Sequence, residues 1–213
     1  MEMGCPHLWI YDHGHQFLQF YSVSDKLSSV FALVNGVSVA EPFKLTDEIS
    51  RKDTFNAGIN ARRKAKPRLA WISPPEKGNP EAMAELACKV AEDQMSRGTY
   101  FVIAHPWSSS FWNSDWISYL GSCAHIAYYY TDLCSFDPSL RNSKVALCLM
   151  CNLPKGALQP LSKGQYTVEE FNTKSYNSNS NANIADDYPL TFCENIFMLA
   201  ADAIRSARGR GEL

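Results

Sequence analysis

The hydrophobic pattern along the chain switches repeatedly between a strand-like and a helix-like period. Gln16 to Tyr21 is a short strand candidate, and Ser24-Asp25 then offers a cap for a helix through Val34, with Gly36 where a C-terminal glycine belongs. Val37 to Ala40 predicts a second strand. The polar stretch from Thr46 to Lys66 predicts a helix ending in the basic run Arg62-Arg63-Lys64-Ala65-Lys66. Leu69 to Ile72 is a continuous apolar strand. Asn79-Pro80-Glu81 is a helix start, with a cap, a first-turn proline and an acid near the positive end of the dipole. Met83, Leu86, Ala87, Val90, Ala91 and Gln94 then share one helical face, and Gly98 ends the helix.

A further apolar, β-rich run from Tyr100 breaks at Pro106 after His105 and leads into a loop with two tryptophans, Trp107 and Trp112. A short helix around Ser114 to Leu120 follows. The strands His125 to Tyr130 and Lys144 to Cys151 flank a turn rich in Asp, Pro, Ser and Asn, the sequence form of a hairpin. Tyr128-Tyr129-Tyr130 reads as strand packing with alternating faces. Asn172 to Asn183 is rich in Asn and Ser and predicts a mobile loop reaching to about position 187, while the first 15 or so residues form a tail. The last helix starts near Pro189, buries Phe192, Ile196, Phe197, Leu199, Ala200 and Ile204, and frays from Arg205 to Arg210. Strands alternating with helices, then a hairpin, predict an α/β fold with a mostly parallel sheet and one antiparallel edge. The 213 residues are read as one domain.

Two strand-to-loop junctions carry most of the functional signal: Trp71-Ile72-Ser73-Pro74-Pro75-Glu76 and Ile103-Ala104-His105-Pro106. In an open parallel sheet ligands bind beyond the carboxyl ends of the strands, so both junctions are expected on one rim. Proline fixes φ and removes a donor, which holds such a loop in one shape. The competing reading is that both are ordinary strand terminators; their order and spacing, with a periodic helix between, favour the site.

Composition narrows the class. With 46% hydrophobic and 20% charged residues and a formal net charge of -2, the chain has no global pull toward nucleic acid or membrane. No stretch is apolar enough to span a bilayer, and Met1 to His7 lacks a signal-peptide layout. The seven cysteines are scattered, which predicts a reducing, intracellular setting, cytoplasm or nucleus. Cys148 and Cys151 have CxxC spacing inside an apolar run, and buried reduced thiols are expected there in preference to zinc or redox chemistry. His7, His13 and His15 have no acidic or cysteine cluster to complete a metal site, so none is expected.

The chain resembles a divergent DNA cytosine-5 methyltransferase, and is most similar to the methyltransferase-like domains within some retroelement polyproteins of protists and fungi. The resemblance runs from about Phe17 to Ile204. Trp71 to Glu76 is similar to the family's SPPC or PPCQ loop. Gln94, Gly98, Phe101 and Ala104-His105-Pro106 resemble a segment that ends in Glu-x-Pro or Glu-Asn-Val. Ser108 to Trp112 resembles its continuation, the Leu133-Cys134, Lys144-Val145 and Asn152 region a cysteine and lysine hairpin of the retroelement group, and Tyr188 to Cys193 the proline-led helix that closes the cofactor site. The resemblance implies a methyltransferase-like three-layer sandwich. It also implies an S-adenosylmethionine site at Ser22, Ser24, Ser73, Pro74 and Pro75, and catalytic positions at Glu76 and His105.

The departures from the family pattern concern the chemistry. The family's reaction needs a thiolate to add to the cytosine ring, and Glu76 stands at that position; a carboxylate is a far poorer nucleophile. His105 aligns with the family's glutamate. After the first strand the chain reads Ser22-Val23-Ser24-Asp25, without a glycine to let the backbone approach a ligand. The expected function is therefore a catalytically degenerate methyltransferase-like domain, a binding or structural module derived from a mobile element, with cofactor binding weak or absent. The alternative is an active S-adenosylmethionine-dependent nucleic-acid methyltransferase with a rearranged site. In that case Glu76 and His105 form an acid–base pair across adjacent strand ends, and Trp107 or Trp112 stacks on a flipped base rather than packing the rim. The run Arg62 to Arg68 offers a phosphate contact, or is a solvated helix end.

Overall fold

In the computed structural model, residues 17–21, 26–33, 37–43, 51–75, 79–137, 139, 146–161, 165–166 and 188–209 are described. Six strands make one mixed sheet: β1 Phe17–Phe20, β2 Leu69–Ile72, β3 Tyr100–Pro106, β4 Ala127–Asp132, β5 Ala146–Cys151 and the two-residue β6 Gln165–Tyr166. Their spatial order is β1-β2-β3-β5-β4-β6. β1, β2 and β3 pair in parallel, Phe17 opposite Leu69 and Leu69 opposite Tyr100. β5 pairs antiparallel with both β3 and β4, and β6 antiparallel with β4.

The expected hairpin between β4 and β5 is therefore present. The antiparallel pairing lies at the far side of the sheet as expected, but it is not confined to one edge strand: β5 inserts between β3 and β4, and β6 pairs antiparallel with β4 at the edge. The reason is burial. Leu147 to Cys151 is apolar at every position and fully buried, which suits an interior strand covered on both faces. Val37 to Ala40 is likewise no full strand; Val39 and Phe43 make isolated parallel bridges to Phe17 and Phe20.

Side chains alternate along each strand and so divide the interior into two layers. Phe17, Leu69, Trp71, Tyr100, Val102, Tyr129 and Leu149 face one core, closed by α1 (Lys26–Ala32) and α5 (Leu190–Gly209). Leu18, Phe20, Ala70, Ile72, Phe101, Ile103, Tyr128 and Met150 face the other. That core is closed by α2 (Arg51–Ala65), α3 (Pro80–Met95) and α4 (Asp115–Gly121). The result is a three-layer α/β sandwich. α5 continues through the basic residues to Gly209, so its C-terminal turn is helical where fraying was expected.

α3 forms as its sequence dictates. The Asn79 carboxamide oxygen accepts from the amides of Glu81 (3.0 Å) and Ala82 (3.3 Å), satisfying two of the helix's unpaired donors. At the other end Gly98 takes φ +64, which only glycine adopts cheaply. Gln94, fully buried in the last turn, donates to the carbonyls of Pro67 (3.2 Å) and Tyr100 (2.8 Å). One polar side chain thus locks the helix to the starts of β2 and β3.

Candidate functional site

Because β1, β2 and β3 are parallel, their carboxyl ends lie on one rim, and the two proline junctions meet there as neighbours. The Ser73 amide donates to the Phe20 carbonyl (3.0 Å), carrying the β1–β2 pairing one residue past the strands. The Ser73 hydroxyl is buried and accepts hydrogen bonds from Trp71 Nε1 (2.8 Å) and from the Tyr188 hydroxyl (3.2 Å). Tyr188, immediately before α5, is brought to Ser73 across 115 positions of sequence. Pro74 is buried and Pro75 half-buried. Ser73 to Pro75 is a packed and internally bonded turn.

At the neighbouring junction β3 runs through His105, opposite Cys148, and ends at Pro106, opposite Leu147, as the sequence leads one to expect. A proline is tolerated at the last strand position, and Trp107 takes up the ladder by donating to the Ala146 carbonyl (2.9 Å). His105 is thus a strand residue, 3% exposed. Its ring stacks on Phe111 (centroids 4.4 Å apart, planes 16° apart) and meets Trp112 edge-on at 6.2 Å. Nδ1 has no hydrogen-bond partner. Burial pulls the imidazole down to about 4, against weaker opposing hydrogen bonding to the backbone of Pro75 and Pro106. The ring is neutral at physiological pH, and its backbone contact with Pro75 joins the two junctions.

The tryptophans are structural. Trp112 is buried and its Nε1 donates to the Pro106 carbonyl (2.8 Å), and Trp107 is buried with its ring edge-on to Tyr130 at 4.9 Å. Ser109 and Ser114 cap the 3-10 turn Ser110–Asn113 and α4, which fixes this loop over the end of β3. Neither indole is presented to a base.

Glu76, Ser22 and Ser24 lie outside the described residues, as do His7, His13 and His15, the tail and the Asn/Ser-rich loop. Of the sequence-derived site, Ser73, Pro74, Pro75 and His105 are brought together. Cys148 and Cys151 are three apart on one strand, so they face opposite cores. Burial pushes the Cys151 thiol up to about 12 and Cys148 well above the ordinary range, so neither is a ready thiolate. No group of three or more His, Cys, Asp or Glu poised for a metal occurs among the described residues, and no helix among them is long and apolar enough to cross a membrane.

Two polar residues near the rim escaped the sequence reading. Gln19, buried in β1, accepts from the Ser28 amide (3.2 Å) and hydroxyl (2.8 Å) and anchors α1. Its signal was plain, a lone amide within Phe17-Leu18-Gln19-Phe20. Tyr21, at φ +60, points a buried, unpartnered hydroxyl toward Gly58 of α2, where an added Cβ would lie 2.8 Å away. A cleft of about 290 Å³ lies elsewhere, between Pro154–Pro160 and the C-terminal half of α5. No protein-family model matches the chain, and no curated protein matches it.

Proposed function

We propose that this chain is a catalytically degenerate methyltransferase-like domain, retained as a binding or structural module of mobile-element origin. The observation that carries the proposal is the state of His105, the residue at the position of the family's glutamate. A group that assists chemistry on a base must reach it and offer charge or a proton. His105 is 3% exposed, neutral, and stacked on Phe111. The rest of the described rim is similarly occupied: Ser73 is engaged by Trp71 and Tyr188, and both tryptophans are packed. At the two junctions the described side chains of Ser73, Pro74, Pro75 and His105 present no accessible acid, base or thiolate.

Support for the methyltransferase part of the proposal comes from the antiparallel β4–β5 pair appended to three parallel strands, the topological feature that the sequence resemblance calls for. The resemblance to retroelement domains supports the mobile-element origin. Calorimetric titration of the purified chain with S-adenosylmethionine tests the loss of the site. Weak binding or no saturable heat is expected. Tight one-to-one binding, displaced by S-adenosylhomocysteine, would favour an active enzyme with a rearranged site.

A further inference from the structure

The opposite rim of the sheet, where β2 and β3 begin and β5 ends, gathers cations that the sequence scatters over some ninety positions. Arg63 and Lys64 close α2, Lys66 follows it at φ +47, and Arg68 immediately precedes β2. Arg97 follows α3 just before β3, and Lys155 follows β5. Hydrogen bonds hold these three connections side by side. The Tyr100 amide donates to the Arg68 carbonyl (2.8 Å). The Asn152 side chain donates to the Thr99 carbonyl (3.0 Å) and accepts from the Phe101 amide (2.8 Å).

Arg63, Lys64, Lys66 and Lys155 are exposed, and among the described residues none of them is paired with a carboxylate. Arg97 has such a partner, Asp93 at 3.7 Å. The cations outnumber the nearby acids Glu92, Asp93 and Asp202, the last lining with Lys155 the cleft beside α5, in a chain whose formal net charge is -2. Basic residues after a helix compensate its dipole, which accounts for Arg63 and Lys64. It does not account for Lys155, which ends no helix, nor for the alignment of three separate connections.

We infer that this rim is a binding face for the phosphate backbone of a nucleic acid, distinct from the rim that carries Ser73 and His105. Adjacent strands lie about 4.8 Å apart, so the row of connections at β2, β3 and β5 is about 10 Å long, with Arg63 and Lys64 on the α2 side of the sheet and Lys155 on the α5 side. One nucleic-acid strand carries a phosphate about every 3.4 Å of axis, so the row meets roughly three of them. A linear, regularly spaced polyanion fits such a row better than a fluid lipid surface does. Contacts of this kind fix position without reading sequence.

The test is fluorescence anisotropy of the intact chain with labelled single-stranded DNA, duplex DNA and single-stranded RNA over a salt series, with anionic phosphatidylserine vesicles as a further arm. Wild type is expected to bind at least one of the nucleic acids in a salt-dependent manner. The triple variant Arg63→Glu, Lys64→Glu, Lys66→Glu should weaken binding tenfold or more and reduce the salt slope by about 2 to 3. Lys155→Glu should weaken it by a smaller factor. Lys26→Glu, at the start of α1 on the carboxyl-end rim, should leave it unchanged. Circular dichroism of each variant should match wild type, since Arg63, Lys64, Lys66 and Lys155 are exposed and Lys26 is only half-buried. No binding by wild type, an unchanged triple variant, or binding to vesicles alone would overturn the inference. Loss of binding through Lys26→Glu alone would instead place the contact on the Ser73–His105 rim, and none of these outcomes depends on whether S-adenosylmethionine binds.

Discussion

His105 is an imidazole buried in the sheet, and its surroundings set its state. Its ring fills the space between Phe111 and the Pro75 turn, and the cost is a buried, unpartnered Nδ1. The linkage consequence has a definite sign. The imidazole is held at about 4 in the folded chain, below the ordinary 6.5, so the unfolded chain takes up the proton first as pH falls. The associated stability is complete above pH ~6.5 and is lost as pH drops toward ~4, with a magnitude on the order of 3 kcal/mol. Urea unfolding at pH 7 and pH 5 should therefore show a steeper acid loss in wild type than in His105→Phe, which keeps the stack and cannot titrate. An equal pH dependence in the two proteins would mean that the imidazole is solvated.

Among the elements, α3 was the most legible. Its cap, its buried stripe and its terminal glycine were all written locally, and the structure places them as the pattern requires. What local pattern does not specify is who sits beside whom. The apolar run of β5 reads the same whether it lies at an edge or inside, and only the pairing of both its sides, to β3 and to β4, decides. The end of β3 at Pro106 is legible from the proline itself, whereas its partner β5, which carries the ladder past His105 to Pro106, is not. β6 has only two residues and offers no periodicity to detect. Gln94 provides the test at this scale, because it alone bonds the carbonyls of Pro67 and Tyr100 through its side chain. Gln94→Leu keeps the volume but deprives two buried carbonyls of that donor, and should cost about 2–4 kcal/mol. Asn79→Ala, which removes only a solvent-exposed cap, should cost about 1 kcal/mol. Denaturant midpoints should fall in that order with unchanged slopes.

At the scale of the whole molecule the two rims of the sheet differ in character. The carboxyl-end rim, which the sequence marks by its prolines, is filled by the protein's own side chains. The opposite rim collects exposed cations from α2, α3 and the segment after β5, a grouping that only the strand order reveals. A degenerate site and a separate binding face are compatible with a domain whose remaining task is attachment. The central claim is the absence of chemistry, and losses within a cooperating site are not repaired one residue at a time. The most direct measurement is transfer of labelled methyl from S-adenosylmethionine to duplex and single-stranded DNA, with wild type and Glu76→Cys in parallel. On the proposed reading the substitution supplies a thiol at position 76 but neither a glycine-bearing cofactor loop nor a carboxylate at position 105, so both lanes should be empty. Label in the wild-type lane would contradict the degenerate reading outright, and label in the Glu76→Cys lane alone would show that the cofactor site survives intact.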